Sequence, residues 1–385
     1  MPKFSIEIEV PIKSDARVKQ VEGIFDIAPG ERSVTKIEVD MPYEDREWSV
    51  GLVMAPSGAG KTTIARHLWP DKIISGFDWD RDKAVVSEFP SKIGIQAITE
   101  YLSSVGFSSP PSWLRPFHAL SNGEQFRVTL ARAMAEENDL FVIDEFTSVV
   151  DRTVARVGSY AVAKAVRRSG KRMVALSCHH DVVEWLQPDW IYEPAGNLFT
   201  WRSLRRRPAV DITICRVDPK AWGIFKKHHY LSSDIHPGAH CYVASWEGNP
   251  VAFIGMLHFP HPRRCAWKGT RAIVLPDYQG AGFGSFLFDY IAGVYRATGL
   301  PVTGLTSSPQ MIRHVLQSSQ WIVTRKPSIM EDNRRQRQRH TERARTVPVG
   351  KFGDNRRRTC SFEYVGPINY EDALGFGLPV RYSAS

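Results

Sequence analysis

Residues 52–63, Leu-Val-Met-Ala-Pro-Ser-Gly-Ala-Gly-Lys-Thr-Thr, join an apolar run to a glycine-rich turn and the start of a helix. That combination suits phosphate chemistry. Gly58 and Gly60 let the backbone turn so that the amides of Ser57, Gly58, Ala59 and Gly60 point at an α- and a β-phosphate, with Thr63 continuing the cradle into the helix. Lys61 reaches the β- and γ-phosphates, and the Thr62 hydroxyl binds Mg²⁺. Ala55 stands where the first glycine of such a loop is expected. A glycine-capped helix start without a ligand is the alternative reading of the same residues.

Downstream, Leu140-Phe141-Val142-Ile143-Asp144-Glu145 is an apolar strand that ends in two carboxylates. An acid at the end of a core strand is costly to bury unless it meets a cation, so Asp144 suits Mg²⁺, directly or through water. Glu145 is placed to orient and deprotonate an attacking water. Leu120-Ser121-Asn122-Gly123-Glu124-Gln125 precedes a run with helical apolar spacing, and Ser121 with Glu124 also reads as an ordinary capping box. Ser148 to Asp151 follow, and then a strand, Met173 to Ser177, that delivers Cys178-His179-His180-Asp181.

In this order and spacing the set resembles an ABC-type ATPase over roughly residues 20–200. The resemblance makes Lys61 and Thr62 part of the Walker A loop, Ser121 and Gly123 part of the signature, Asp144 and Glu145 the Walker B pair, and Ser148 to Asp151 the D-loop. It makes His180 the γ-phosphate switch, with His179 as the other candidate. The signature departs from the family pattern at its third and fifth positions. The glutamine loop is irregular: Val85-Val86-Ser87-Glu88-Phe89-Pro90 occupies the place of a strand, which leaves Glu88 as the substitute residue. The resemblance also implies an ATP-dependent homodimer, the signature of one copy closing over phosphates held by the other.

The elements around these motifs follow from the rest of the chain. A length of 385 residues predicts two domains. Phe4 to Val10, Gly23 to Ile27 and Val34 to Val39 read as strands of an antiparallel edge sheet ahead of the phosphate loop, where Phe25 is either an adenine-stacking aromatic or core. Residues 63–119 leave room for a reduced helical subdomain and no long coiled coil. No apolar run approaches the roughly 18 residues that span a bilayer, and no apolar leader opens the sequence; the expectation is a soluble cytoplasmic protein. The cysteines at 178, 215, 241, 265 and 360 form no C-x-x-C pair, so they read as reduced thiols, with no metal cluster.

Arg202, Arg205, Arg206 and Arg207 before Pro208 mark a basic linker, 201–210, after a first domain of residues 1–200. Beyond it the strand Ile212 to Val217, a helix-like stretch Asp218 to Tyr230, and the strands Cys241 to Trp246 and Val251 to His258 lead to another strand, Arg271 to Pro276. That strand runs into Gln279-Gly280-Ala281-Gly282-Phe283-Gly284 and a helix, Ser285 to Thr298, with a further strand from Val302 to Thr306. Strand, Gln-x-x-Gly-x-Gly and helix in this setting resemble the GNAT acetyltransferase core over roughly 210–325. The fold class expected is therefore α/β, an ABC-type P-loop ATPase domain followed by a GNAT-fold α+β domain over 211–365, with a tail from 366 to 385. The resemblance implies acetyl-CoA as cofactor: the amides of Gln279 to Gly284 hold its pyrophosphate at the helix N-terminus, and edge amides of Ile273, Val274 and Leu275 pair with the pantetheine.

Trp321 to Arg325 and Thr359 to Val365 make the last hairpin, with a basic insertion, 326–358, between them. The net charge of the whole chain is +9, and Arg325 to Arg358 hold 12 Lys/Arg against 4 Asp/Glu. Arg334, Arg335, Arg337, Arg339, Arg356, Arg357 and Arg358 suit forked phosphate contacts, which makes nucleic acid, DNA more than RNA, the expected partner. With a thioester cofactor beside such a surface, the expected reaction is ATP-dependent acyl transfer to a nucleobase amine. The layout, with His228-His229-Tyr230-Leu231-Ser232, resembles phage Mom-type proteins that modify DNA, and as a whole it resembles prokaryotic fusions of an ABC-type ATPase to an acetyltransferase. His229, Tyr230 and Asp234, with His228, are the candidate general bases, and Ser307, with Ser308, is the candidate to polarise the leaving thiolate. Two other functions fit the same motifs: a DNA-clamping ATPase with a non-catalytic GNAT fold, and an acetyltransferase of a protein or small-molecule amine regulated by ATP.

Overall fold

Apolar strands with short polar connections dominate both halves of the chain, and among the described residues they assemble into two large sheets, each with its own core, and a two-stranded one. The computed structural model describes residues 3–11, 13–25, 32–137, 139–202, 210–229, 234–260, 264–329 and 358–382. The chain divides into two units, Met1–Gly94 with Arg115–Arg207, and Ile95–Leu114 with Pro208–Ser385. Residues 95–114, which the sequence places in a first domain of residues 1–200, group with the second unit.

In the first unit, β1 (Lys3–Pro11) and β2 (Arg32–Asp40) pair antiparallel. Between them lies α1 (Ala16–Phe25), where a strand through Gly23 to Ile27 was expected. Asp15 starts this helix, its Oδ1 accepting from the amides of Arg17 and Val18 at 2.8 and 2.9 Å. Phe25 is 70% exposed, so it belongs to no core. The main sheet holds β3 (Val50–Met54), β4 (Ile73–Ile74), β5 (Leu140–Ile143), β6 (Arg172–Ser177), β7 (Trp190–Glu193) and β8 (Leu198–Trp201), in the order β4-β5-β6-β3-β7-β8. Its pairs are parallel except β7–β8. β3, β5 and most of β6 are buried, as strands covered on both faces must be.

Around the sheet stand α2 (Lys61–Leu68), α5 (Asn122–Glu136), α6 (Arg152–Ser169) and α7 (Val182–Leu186). One core cluster joins Val53 and Val142 to Tyr43, Trp48, Trp69 and Trp190. Gly51 on β3 lies under the Trp190 ring, where any Cβ would collide. Val85–Glu88 forms a 3-10 turn and not the strand expected there, and the Glu88 carboxylate turns to Lys83, 3.9 Å away, and to the Asp80 amide.

The second unit carries a seven-stranded sheet of β9 (Ile212–Val217), β10 (His240–Trp246), β11 (Asn249–Phe259), β12 (Ala266–Val274), β13 (Val302–Thr306), β14 (Trp321–Ile329) and β15 (Arg358–Tyr364). Its order is β14-β15-β13-β12-β11-β10-β9, antiparallel except for β12–β13. β12 begins five residues before the strand read from sequence, and β14 runs four beyond Arg325, so the strands take both ends of the stretch read as a basic insertion. The expected helix over Asp218 to Tyr230 is shorter, a 3-10 turn (Pro219–Ala221) followed by α8 (Trp222–Lys226).

α9 (Phe283–Arg296) covers one face of this sheet with Leu287, Phe288, Ile291 and Tyr295 buried. Trp222 and Phe225 of α8 pack with Cys241, Val243 and Phe253 in a separate cluster. α10 (Pro309–Gln317) follows β13. The segment read as a tail holds α11 (Tyr370–Gly375), which is tied to α9 by the Tyr290 hydroxyl donating to Asp372 at 2.6 Å. α3 (Ile95–Ser104) and the single turn α4 (Pro110–Trp113) complete the unit. Among the described residues, no helix is long and apolar enough to cross a membrane.

Candidate functional site

In a parallel sheet the strand ends converge where loops meet helix N-termini, and ligands gather at the carboxyl edge. β3, β5 and β6 bring three motifs to that edge. After β3, Gly58 and Gly60 take φ of 79° and 84°, a backbone that residues with a Cβ rarely adopt, and α2 starts directly after the second. The Lys61 ammonium is held by its own loop, donating to the carbonyls of Ala55 and Pro56 at 2.6 and 2.8 Å. The Thr62 hydroxyl donates to Asp144 Oδ2 at 2.9 Å, and the other carboxylate oxygen accepts from the Glu145 amide at 2.9 Å. A hydroxyl and a carboxylate already in contact are the donor set a Mg²⁺ ion takes beside phosphates.

These residues border an open cleft of about 870 Å³ lined by Ser57 to Thr63, Asp144, Glu145 and Ser148, with Lys36, Ile37, Glu38, Cys178 and Asn197. The volume, the glycine loop and the Thr62–Asp144 pair fit a Mg-nucleotide. Glu145 is exposed in the left-handed region at φ 50°. Neither His179 nor His180 borders the cleft; Cys178 does, and the imidazole of His180 is exposed two residues beyond it. Phe25 is likewise absent from the lining, where Ile37 takes part. Ser121 caps α5, its hydroxyl accepting from the Glu124 amide while Glu124 accepts from the Ser121 amide at 3.0 Å. Ser121 stays exposed and Gly123 is buried in the first turn. Arg152, the first residue after Asp151, pairs with Asp181 at 2.9 Å and lies over Trp185, which fastens the stretch after Ser148 to the stretch after His180.

In the second unit, β12 and β13 pair only at Trp267↔Val302 and Lys268↔Thr303. Each strand runs on, to Val274 and Thr306, so the sheet is open between their carboxyl ends. Arg271 has φ 54°, and the β11–β12 register shifts there between Phe253 and Gly255, a bulge in the strand that flanks the opening. At the end of β12, Gly280 and Gly282 take φ of 94° and 106°, and Gly282 immediately precedes α9. Extended backbone at Ile273 and Val274, with the Gln279 to Gly284 loop beyond it, fits the pantetheine and pyrophosphate of a coenzyme A thioester.

Of the acceptor-side candidates, His229 lies edge-on to the Trp222 ring at 5.4 Å, and Asp234 is ion-paired with Lys226 at 2.6 Å. Ser307 and Ser308 follow β13 at the open end. Tyr230 and Arg334, Arg335, Arg337, Arg339, Arg356 and Arg357 lie outside the described residues, and Arg358 is described only as the first residue of β15.

Sequence reasoning named Gln279 for its amide and missed its side chain, and it missed a second group. Gln279 is 7% exposed, and its side chain is part of the loop's construction: Oε1 accepts from the Ser108 amide at 2.7 Å and Nε2 donates to the Val274 carbonyl at 2.9 Å. The other group is a polar chain of the half-buried His240 and two buried tyrosines, His240 Nδ1 to the Tyr295 hydroxyl at 2.7 Å and on to the Tyr242 hydroxyl at 3.0 Å. Burial and the charge of Arg216 hold the His240 imidazole below its usual range, and burial drives the Tyr295 phenol far above its own. Burial also lifts the Cys241 thiol to about 11, so that cysteine is no nucleophile at neutral pH.

Residues 237–316, which contain the opening, the glycine loop and α9, match the model of an acetyltransferase (GNAT) domain. The second unit carries a GNAT acetyltransferase domain. For the other motifs, the chain is 32% identical over 121 residues to the zinc import ATP-binding protein ZnuC of Pseudomonas fluorescens, covering 26% of this chain and 45% of that protein. It is 29% identical over 199 residues to the Fe(3+) ions import ATP-binding protein FbpC of the same species, covering 41% and 52%. The chain thus spans about half the length of these two relatives. The zinc import ATP-binding protein ZnuC of Pseudomonas entomophila is 26% identical over 215 residues, covering 49% of this chain and 83% of that protein. Among solved structures, a dimeric post-hydrolysis ATP-binding cassette bound to ADP and Pi aligns with a TM-score of 0.34 at 16% identity, covering 43% of this chain and 89% of that one. Beside its GNAT domain, the chain is thus similar in part to these ATP-binding proteins.

Proposed function

We propose that the protein is an ATP-dependent N-acyltransferase that takes its acyl group from acetyl-CoA and delivers it to a nucleobase amine. One observation carries this reading. The open end between β12 and β13 has the Gln279 to Gly284 loop on one side, and on the other the two strand ends from which the arginine-rich stretch leaves and to which it returns. Thr306 pairs with Cys360 on β15, and Ile329 pairs with Arg358, so the β14–β15 hairpin opens at the same end of the sheet as β12 and β13. A stretch with 12 Lys/Arg against 4 Asp/Glu thus starts and finishes beside the acyl site. Polyanion attraction at that place favours a phosphate-bearing acceptor over a small neutral amine.

Coenzyme A supplies an activated thioester when bound. The chain would supply the rest. The amides of Gly280 to Gly284 and the α9 N-terminus hold the diphosphate, and the edge amides near Ile273 to Leu275 fix the pantetheine arm. A base must take the proton the acceptor amine loses as it attacks; His229 serves better than Asp234, whose carboxylate is committed to Lys226. Ser307, which follows β13, would donate a hydrogen bond to the departing thiolate, which takes its proton from solvent. At the other site Thr62 and Asp144 would hold Mg²⁺, Lys61 would meet the phosphates, and Glu145 would orient water. Ser121, exposed at the start of α5, would close on nucleotide held by a second copy, so the working form in this reading is an ATP-dependent homodimer.

Mass spectrometry of nucleosides from DNA and RNA incubated with protein, acetyl-CoA and Mg-ATP tests this. A new acylated nucleoside, absent with Lys61→Ala and with Gly282→Val, is the expected result. Consumption of acetyl-CoA with no nucleoside gaining mass would move the acceptor to a protein or small amine.

A further inference from the structure

Residues 95–114 reach both sides of the opening between β12 and β13 within the second unit. On the β12 side the Ser108 amide donates to the buried Gln279 side chain, which in turn donates to the Val274 carbonyl at the end of the strand. Gly106, at φ 85°, lies so close to the Gln279 carbonyl that a Cβ there would collide with it. On the β13 side, Gln310 of α10 donates to the Ser103 carbonyl and Arg313 pairs with Glu100 of α3. One segment therefore touches the loop after β12 and the helix after β13.

Both ends of this segment return to the unit that holds Lys61. Its last residue, Leu114, is followed by Arg115, whose carbonyl accepts from the Val85 amide at 3.0 Å. Ser121 comes seven residues after Leu114.

We propose that residues 95–114 form a strap across the acyl-CoA mouth, through which nucleotide binding at Lys61 and acyl-CoA binding at the Gln279 to Gly284 loop change each other's affinity. The proposal rests on the acyl-CoA reading above. Closure of Ser121 and Gly123 on nucleotide pulls on the chain at Leu114. Only while α3 is anchored on α10 by Glu100 and Ser103 does the pull bear on Ser108, which then either drags Gln279, and with it the end of β12, or strips a buried amide side chain of a partner. In either case the loop that holds the diphosphate has two arrangements, and each ligand selects between them.

The test uses the full-length chain with Glu145→Gln, which retains nucleotide without turnover, and coenzyme A itself as the probe. Coenzyme A is titrated with and without Mg-ATP, and Mg-ATP with and without coenzyme A. The strap predicts that each ligand shifts the other's Kd by one common factor, on the order of fivefold or more. In Glu100→Ala with Gln310→Ala, and separately in Arg313→Ala, coenzyme A binding without nucleotide stays nearly unchanged while the common factor falls to about one. The two variants cut the same link at different residues, so a folding failure in one leaves the other to decide. If both ligands bind and the factor is one before any cut, or survives both cuts, the strap is wrong and the acyl-CoA reading stands. If coenzyme A does not bind at all, the acyl-CoA reading fails and takes the strap with it.

Discussion

Replacing Gln279 with Leu keeps most of the side-chain volume and removes both of its hydrogen bonds. The two partners, the Ser108 amide and the Val274 carbonyl, are then left in a site where the glutamine itself is 7% exposed. Each bond contributes roughly 1 kcal/mol net, and an unpartnered buried group costs about 1–3 kcal/mol. Ser108 and Val274 keep partial access to water, so the low end applies, and Gln279→Leu is expected to destabilise the second unit by roughly 2 kcal/mol. Urea unfolding of the intact chain, followed by circular dichroism and by hydrogen exchange at β12 amides, reads that loss. The same change should weaken coenzyme A binding, because Val274 and the 279–284 loop would lose their fixed geometry. A change below about 0.5 kcal/mol, the scatter of ordinary surface substitutions, with coenzyme A affinity intact, would refute the structural role assigned to Gln279.

The Thr62–Asp144 pair predicts that Thr62→Ala and Asp144→Asn each abolish Mg²⁺-dependent ATP hydrolysis while weakening nucleotide binding without metal far less, which a fluorescent nucleotide titration in EDTA would separate. Gly51→Ala drives a Cβ into the Trp190 ring and should cost about 1–3 kcal/mol as overpacking of a core, measured by thermal unfolding of the first unit; an unchanged midpoint would mean the β3–β7 packing is misdescribed. His240 is held neutral by burial, so below its ordinary value of 6.5 the unfolded chain takes up a proton that the folded chain refuses. Stability should therefore fall as pH drops through and below 6.5, be indifferent to His240 above that, and show a flatter slope in His240→Gln. A steeper or unaltered slope in that variant would contradict the His240–Tyr295–Tyr242 chain as its source.

The sequence was most legible where local rules and tertiary packing agree. Ile212–Val217 and Val302–Thr306 are strands with the limits read from the sequence, because turn residues bound each run. The phosphate loop was legible for a different reason: Gly58, Gly60, Lys61 and Thr62 are required by chemistry in that spacing, and the structure brings Thr62 to Asp144 across 82 positions of chain. α1 was misread because Gly-Ile-Phe-Asp-Ile alternates in polarity over a few residues. The cap at Asp15 and the three-residue spacing of Val18, Val21 and Ile24 carried the helix signal.

Residues 95–114 show the limit of local reading. They fall in the stretch read as a reduced helical subdomain, and α3 is a helix, but nothing within them says that Ser108 will meet Gln279, 171 positions later. The same holds for His240 and Tyr295, which are 55 positions apart and become one hydrogen-bonded chain only when β10 and α9 pack. The arginine-rich stretch was read from composition, and only its two ends, Ile329 and Arg358, have a described place in the sheet.

The most direct measurement of ATP-coupled acyl transfer is the rate of free thiol release from acetyl-CoA in the presence of duplex DNA, followed as Mg-ATP is added to the wild-type protein and to Lys61→Ala. ATP coupling predicts a rate that rises with Mg-ATP in the wild type and stays at its nucleotide-free level in Lys61→Ala. A rate that is the same in both proteins at every ATP concentration would contradict it.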